Sequence, residues 1–239
     1  MREAGRINAL ALKAVREAIQ PGVTTKQLDE IAEAVIRDHE ATPAFLGYPG
    51  PTPYPGTLNT CINEEMVHGI PGSRRIQEGD LVSIDCGTIH QGFVSDSAFS
   101  MGVGQVSELV QQLLDVTEKA LEIGIDKMRS GNRIGDVGAA IQAYVEGFGF
   151  HVPREYTGHG VGRKMHEGPQ VPNYGLAGRG MVLRHGLTIA LEPMVLAGTY
   201  RTRILPDKWT VASADGSLTA HFEHTVAVTE GDPLVLSQV

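Results

Sequence analysis

Two aspartates, Asp85 and Asp96, stand in "SIDCGTIHQGFVSDSAF" (83–99), whose other residues suit the two arms of a buried β-hairpin. A turn centred on His90-Gln91 sets Asp85 directly opposite Asp96, with Cβ atoms about 4.5–5.5 Å apart on one face. A three-residue loop with a bulge at Gly92 is the other register, and it moves Asp96 off that pairing. Two carboxylates held close in a strand pair repel each other unless one keeps a proton or a divalent cation lies between them. Glu192, in "HGLTIALEPMVLAG" (185–198), and Glu223, in "LTAHFEHTVAVTE" (218–230), are two more carboxylates within apolar strands. His159, in "EYTGHGVGRKMHEGPQ", adds an imidazole between glycines that permit close backbone approach. Two Asp, two Glu and one His form an oxygen-rich set, too anionic for one ion and suited to two bridged divalent ions. A single imidazole among carboxylates fits Mn, Co, Fe or Zn.

The elements that must position these groups follow from periodicity. Residues 4–19 carry Ile7, Leu10, Leu12, Val15 and Ile19 at helical spacing, and Pro21-Gly22 ends that helix. Thr24 followed by Gln27 is a capping box for a second helix. The Pro- and Gly-rich stretch 47–60 reads as loop, and strands follow at 80–89 and 93–101. Helix returns from Ser107 to Met128, breaks at Ser130-Gly131 and restarts through "DVGAAIQAYVEGFG". In 185–198, Leu187, Ile189 and Leu191 share one face, and Thr188, Ala190 and Glu192 the other. In 218–230, Phe222, His224, Val226 and Val228 alternate with His221, Glu223, Thr225 and Ala227. The order helix, glycine break, helix, strands thus occurs twice, with Gly22 and Gly131 at the breaks. This predicts a single domain over 1–239, built of two related halves at about 1–105 and 106–239, with the site between them.

Composition narrows the classes. The chain has 239 residues, 41% hydrophobic and 20% charged, as a soluble globular protein does. No apolar run approaches the roughly 18 residues of a membrane span. The amphipathic N-terminus lacks a secretory apolar core and reads as a first helix. Two cysteines, Cys61 and Cys86, are too few for a disulfide framework and read as packing residues in a reducing cytoplasm. A net charge of −8 argues against a specific nucleic-acid binder.

Five motifs then occur in order: "HGIP" (68–71), "GDLVSIDCGTIHQGFVSDSAFSMGVG" (79–104), "GHGVGRKMHEGPQVPNY" (158–174), "ALEPMV" (190–195) and "WTVASADGSLTAHFEHTVAVT" (209–229). As a set they closely resemble the type I methionine aminopeptidases, from about Arg2 to the end of the chain. The resemblance implies an α/β (α+β) pita-bread fold, a pseudo-twofold curved antiparallel sheet flanked by helices. It implies that Asp85, Asp96, His159, Glu192 and Glu223 ligate two divalent ions, and that a dinuclear metal-bound hydroxide hydrolyses N-terminal methionine from nascent proteins and peptides. Glu192 would also shuttle a proton, while His68 and His166 would stand beside the metals as non-ligands and engage the substrate. Phe45, Tyr48, His68, Met165 and Trp209 match the family's methionine pocket, although relatives often carry Cys where Phe45 stands and Phe where Met165 stands. The 49–58 loop is about three residues longer than in close relatives. The resemblance also suggests a monovalent cation near Asn63 and Thr219, and transient contact with the ribosome. His151, His185, His221 and His224 match no functional motif position and read as structural or surface residues, and His90 as a turn residue. Two rivals share the fold: an Xaa-Pro peptidase, whose usual N-terminal domain would precede the first helix, and a metal-free binding module, which would have lost ligands.

Overall fold

The computed structural model describes all 239 residues. The first helix, α1 (Arg2–Ala18), buries Ile7, Ala11 and Val15 along one stripe and ends before Pro21. The second, α2 (Thr25–Asp38), begins at the expected capping box, with the Thr24 hydroxyl accepting from the Gln27 N–H and the Gln27 side chain accepting from the Thr24 N–H. Strands β1 (Thr42–Pro43), β2 (Leu58–Ile62), β3 (Glu65–Val67), β4 (Leu81–His90) and β5 (Phe93–Gly102) follow. A second helical pair, α3 (Glu108–Lys127, capped by Ser107) and α4 (Ile134–Gly147), comes next. The remainder is β6 (Gly158–Gly160), β7 (Glu167–Val171), β8 (Thr188–Leu191), β9 (Met194–Leu196), β10 (Thr202–Ile204), β11 (Val211–Ser213), β12 (Thr219–His221), β13 (His224–Ala227) and β14 (Leu234–Val235).

Three expectations need correcting. Residues 58–60 are strand, not loop: the Pro/Gly composition ends at Gly56, and Leu58–Ile62 pairs along β4 with Asn59 opposite Asp85. The hairpin takes neither expected register. Its turn is Gln91-Gly92, both at positive φ (50° and 74°), as a two-residue type I′ connection requires. Asp85 therefore faces Ala98 and Asp96 faces Gly87. The two aspartates remain on one face as diagonal neighbours, because the shift is an even number of residues. Finally, the single strands expected in 185–198 and 218–230 are each interrupted, at Glu192-Pro193 and Phe222-Glu223. Pro193 has no N–H for the ladder. The register is nevertheless the same on both sides of the interruption, with Leu191 opposite His224 and Met194 opposite His221, which sets Glu192 opposite Glu223.

One antiparallel sheet runs β2–β4–β5–β13–β8–β6–β7. Its joint lies between β5 and β13, where Ala98 and Glu223 exchange backbone hydrogen bonds of 3.2 and 3.0 Å. The Thr225 hydroxyl locks the same joint, accepting from the Asp96 N–H at 2.9 Å and donating to the Asp96 carbonyl at 2.7 Å. All four helices cover one face and share a core with it: Ile7, Ile36, Leu113 and Ile141 from the helices meet Ile84, Phe99, Ile189 and Val226 from the sheet. Asn8 is the polar exception. Fully buried on α1, it donates to the Cys86 carbonyl and the Ser97 hydroxyl, both at 2.7 Å, and accepts from the Thr88 hydroxyl at 2.8 Å.

Candidate metal centre

The opposite face carries the chemistry. Registers place Asn59, Asp85, Ala98, Glu223 and Glu192 in one row across β2, β4, β5, β13 and the end of β8. Asp96 stands two residues from Ala98 on the same face, and His159 pairs with Ala190, two residues from Glu192. Five carboxylate and imidazole groups from both ends of the chain thereby converge. His159 Nε2 lies 3.4 Å from Glu192 Oε1 and 3.8 Å from Asp96 Oδ2. One donor atom from each of Asp96, His159 and Glu223 falls within 4.8 Å of the others.

The glycines around His159 are required by space. A Cβ at Gly158 would lie 2.6 Å from the Ala190 carbonyl, and one at Gly160 would lie 2.2 Å from the Gly168 carbonyl. The orientation of His159 also fixes its tautomer. Its Nδ1 lies 2.9 Å from the Gly160 carbonyl, which only accepts, so Nδ1 holds the proton and Nε2 turns a lone pair to the carboxylates.

Burial and mutual repulsion dominate the electrostatics. Burial pushes Asp85 up to about 7, against the pull of the 2.8 Å bond from Asn59. Asp96 is held well above the ordinary carboxylate range by burial and then by Glu223 and Asp85. Glu192 is raised by burial, Asp96 and Asp85, and Glu223 by burial, Glu192 and Asp85. Burial lowers His68 and His159 to about 4, each helped by His166, and lowers His166 itself. These imidazoles are neutral at pH 7, so the short His159 contacts are not ion pairs.

The donors fit a divalent cation. Asp85 Oδ1, Asp96 Oδ1 and Glu223 Oε1 are buried without any hydrogen-bond partner. Ionised oxygens left that way are strongly destabilising, and a cation removes both the repulsion and the missing contacts.

Above the row sits a cavity of about 140 Å³. All eleven residues singled out from sequence line it: Asp85, Asp96, His159, Glu192 and Glu223, together with His68, His166, Phe45, Tyr48, Met165 and Trp209. His68 adopts φ 61°, a strained conformation for a residue with a side chain, and its ring packs edge-on to Trp209 and Tyr156. The Tyr48 hydroxyl lies 2.6 Å from His166 Nδ1; with the hydroxyl donating, His166 keeps its proton on Nε2. The long loop closes one wall. Gly50 sits against the Trp209 ring, where a Cβ would be 2.3 Å from two ring atoms, and Tyr54 packs edge-on to that ring. Gly87, opposite Asp96, leaves room for Met165 and Phe45. Asn63 and Thr219 meet directly, with the Thr219 N–H donating to the Asn63 carbonyl at 2.9 Å.

His221, read from the sequence as a structural or surface residue, is not at the surface. It is 2% exposed, lines the cavity, and places Nε2 3.9 Å from Glu223 Oε2 and 4.0 Å from Glu192 Oε2. Burial and then His68 lower it to about 3. The strand alternation that put His221 on the Glu223 face was the signal for it. Asn59 was missed because it falls in the stretch read as loop.

Comparison with known proteins agrees with this geometry. The sequence matches the model for Metallopeptidase family M24 over residues 1–230. It is 46% identical to a methionine aminopeptidase of Clostridium perfringens over 100% of this chain and 95% of that protein. It is also 46% identical to methionine aminopeptidase 1 of Bacillus subtilis, with the same coverage. The methionine aminopeptidase structure from Thermotoga maritima superimposes with a TM-score of 0.97 at 43% identity, covering 100% of this chain and 95% of that one. A prolidase from Pyrococcus horikoshii shares the fold at a TM-score of 0.79 and 22% identity, with this chain covering 60% of it.

Proposed function

The chain belongs to metallopeptidase family M24 and has its pita-bread fold, and on that premise we propose that it removes methionine from the N-termini of nascent proteins and peptides at a two-metal centre held by Asp85, Asp96, His159, Glu192 and Glu223. The observation that carries this reading is the row of buried, unpartnered carboxylate oxygens on one sheet face beneath an apolar-walled cavity. When bound there, divalent ions supply Lewis acidity, which acidifies water and polarises a carbonyl.

The protein's own groups account for the remaining steps. Glu192, at the strand interruption, accepts a proton from the attacking water and returns it to the leaving amine. His166, with Nδ1 held by Tyr48, points an Nε2–H donor at the scissile peptide and stabilises the tetrahedral oxygen. His68 binds the substrate backbone, its ring set by Trp209 and Tyr156. Phe45, Met165 and Trp209 form an apolar pocket, and the thioether of Met165 is a soft, polarisable lining for a methionine side chain. Both halves supply ligands, so the whole chain acts as one catalytic unit. No helix is long and apolar enough to cross a membrane. Nascent chains as substrate imply work in the cytoplasm, with transient contact at the ribosome.

The test is hydrolysis of Met-Ala-Ser against Ala-Pro peptides by protein loaded with Co or Mn, alongside direct metal analysis. We expect two ions per chain, cleavage of the methionyl peptide, and no cleavage after removal of the metal. Preferential cleavage of Ala-Pro would favour the Xaa-Pro reading. A protein that binds no divalent metal would overturn the enzyme reading altogether.

A further inference from the structure

We propose that His221 is a sixth protein donor of this centre, presenting Nε2 to a cation that Glu192 and Glu223 also hold. The inference rests on the two-metal reading above and adds to its ligand set. The His221 side chain is 97% buried, and its Nε2 has no hydrogen-bond partner. The separations of 3.9 Å and 4.0 Å to Glu223 and Glu192 are too long for hydrogen bonds. Both fall within twice a metal–ligand bond of about 2.0–2.2 Å, the upper limit for two donors on one ion, so a cation between these groups can reach all three.

The backbone holds the ring there. The Ser100 hydroxyl accepts from the His221 N–H at 2.9 Å and donates to the His221 carbonyl at 2.8 Å, and it is itself bonded to Ser83 at 2.7 Å. His221 is thus tied to β5 and, through Ser83, to β4, the strands that carry Asp96 and Asp85. A buried ring nitrogen with no partner is destabilising unless something occupies the space before it. His159 approaches Asp96 and Glu192, whereas His221 approaches Glu192 and Glu223. Glu192 therefore stands between two imidazoles, one that also approaches Asp96 and one that also approaches Glu223. A centre with two imidazoles favours Co or Zn over Mn more strongly than a centre with one.

Cobalt provides a direct readout. An imidazole bound to Co(II) through one nitrogen shows the N–H proton of its other nitrogen as a far-shifted, solvent-exchangeable resonance. The full chain, stripped of metal and given two equivalents of Co(II), is expected to show two such resonances in water, both absent in D₂O. His221→Gln should retain one of them. By calorimetric titration it should bind one ion about tenfold or more weakly than the unmodified chain, with the other unchanged. The spectrum of the unmodified protein decides the matter even if the variant folds poorly. Two bound ions and methionyl-peptide cleavage with a single imidazole resonance would overturn the role of His221 alone. Failure to bind cobalt would overturn both this role and the centre itself.

Discussion

Asp96 shows how one residue sets both stability and chemistry. It is 4% exposed, one of its oxygens has no partner, and Glu223 and Asp85 both oppose its ionisation. Asp96→Asn keeps the shape and removes the charge. Without metal, the variant should be more stable than the unmodified protein at pH 8, because a repelled carboxylate has been neutralised. With metal the order should reverse: the variant should lose at least one of two bound ions and fall about a hundredfold or more in kcat/KM. Thermal unfolding with and without metal, metal analysis and peptide turnover check the three parts. Gly87 makes the complementary case for the pocket. A Cβ there would lie 2.5 Å from Met165 Cε, 2.9 Å from Ala44 Cβ and 3.0 Å from Phe45 Cε1. Met165 can swing away, but the Ala44 backbone cannot do so freely. Gly87→Ala should therefore leave two ions bound while raising KM for methionyl peptides several-fold. An unchanged KM would contradict the assignment of Met165 and Phe45 to the methionine pocket.

At the scale of elements, the hairpin β4–β5 is held from behind by Asn8 and from the side by Thr225. Asn8 satisfies three hydrogen-bonding groups of the hairpin, two of them within one residue of Asp85 or Asp96. Asn8→Ala strands those buried groups and should cost about 2–3 kcal/mol in urea unfolding. It should also weaken metal binding, since Cys86 and Ser97 adjoin Asp85 and Asp96, the proposed ligands. Much of this architecture was legible from residue patterns: the Thr24/Gln27 cap, the Gly22 and Gly131 breaks, and the alternation that put Glu192 and Glu223 each on a definite face of its own strand. The register was not. Gln91 at positive φ is an unusual first turn residue, so His90-Gln91 looked as acceptable a centre as Gln91-Gly92. The aspartates still converge, because an even shift preserves the face. Strand interruptions at Pro193 and Phe222 were hidden because the register passes through them unchanged. Asn8 was hidden for a different reason: its role depends on contacts across the fold. His221 carried a local signal in its place on the Glu223 face, but nothing local marks a buried ring nitrogen as unpartnered.

For the molecule as a whole, two sets of buried groups pull stability in opposite directions with pH. The carboxylates have folded pKa values raised above their ordinary values near 4, Asp85 to about 7 and the other three well above the usual range. Their contribution is complete below about pH 4 and is lost as pH rises through the folded values. The imidazoles are lowered, His68 and His159 to about 4 and His221 to about 3. Their contribution is present above about pH 6.5 and is lost as pH falls. The two sets oppose each other between about pH 4 and 6.5; above that window the imidazoles no longer change, and only the carboxylates do. The metal-free protein should therefore lose stability from about pH 6.5 to 8, as Asp85 ionises at about 7. A bound cation favours the ionised carboxylates, so metal binding must release protons and tighten as pH rises. Excess metal at a hundred times its dissociation constant adds about 2.7 kcal/mol. The difference in Tm between metal-loaded and metal-free protein should widen from about pH 6.5 to 8, with the decline confined to the metal-free samples. Calorimetric unfolding over that range decides it. A metal-free Tm that stays flat or rises between about pH 6.5 and 8 would mean that Asp85 does not titrate at about 7 in the folded protein without a cation.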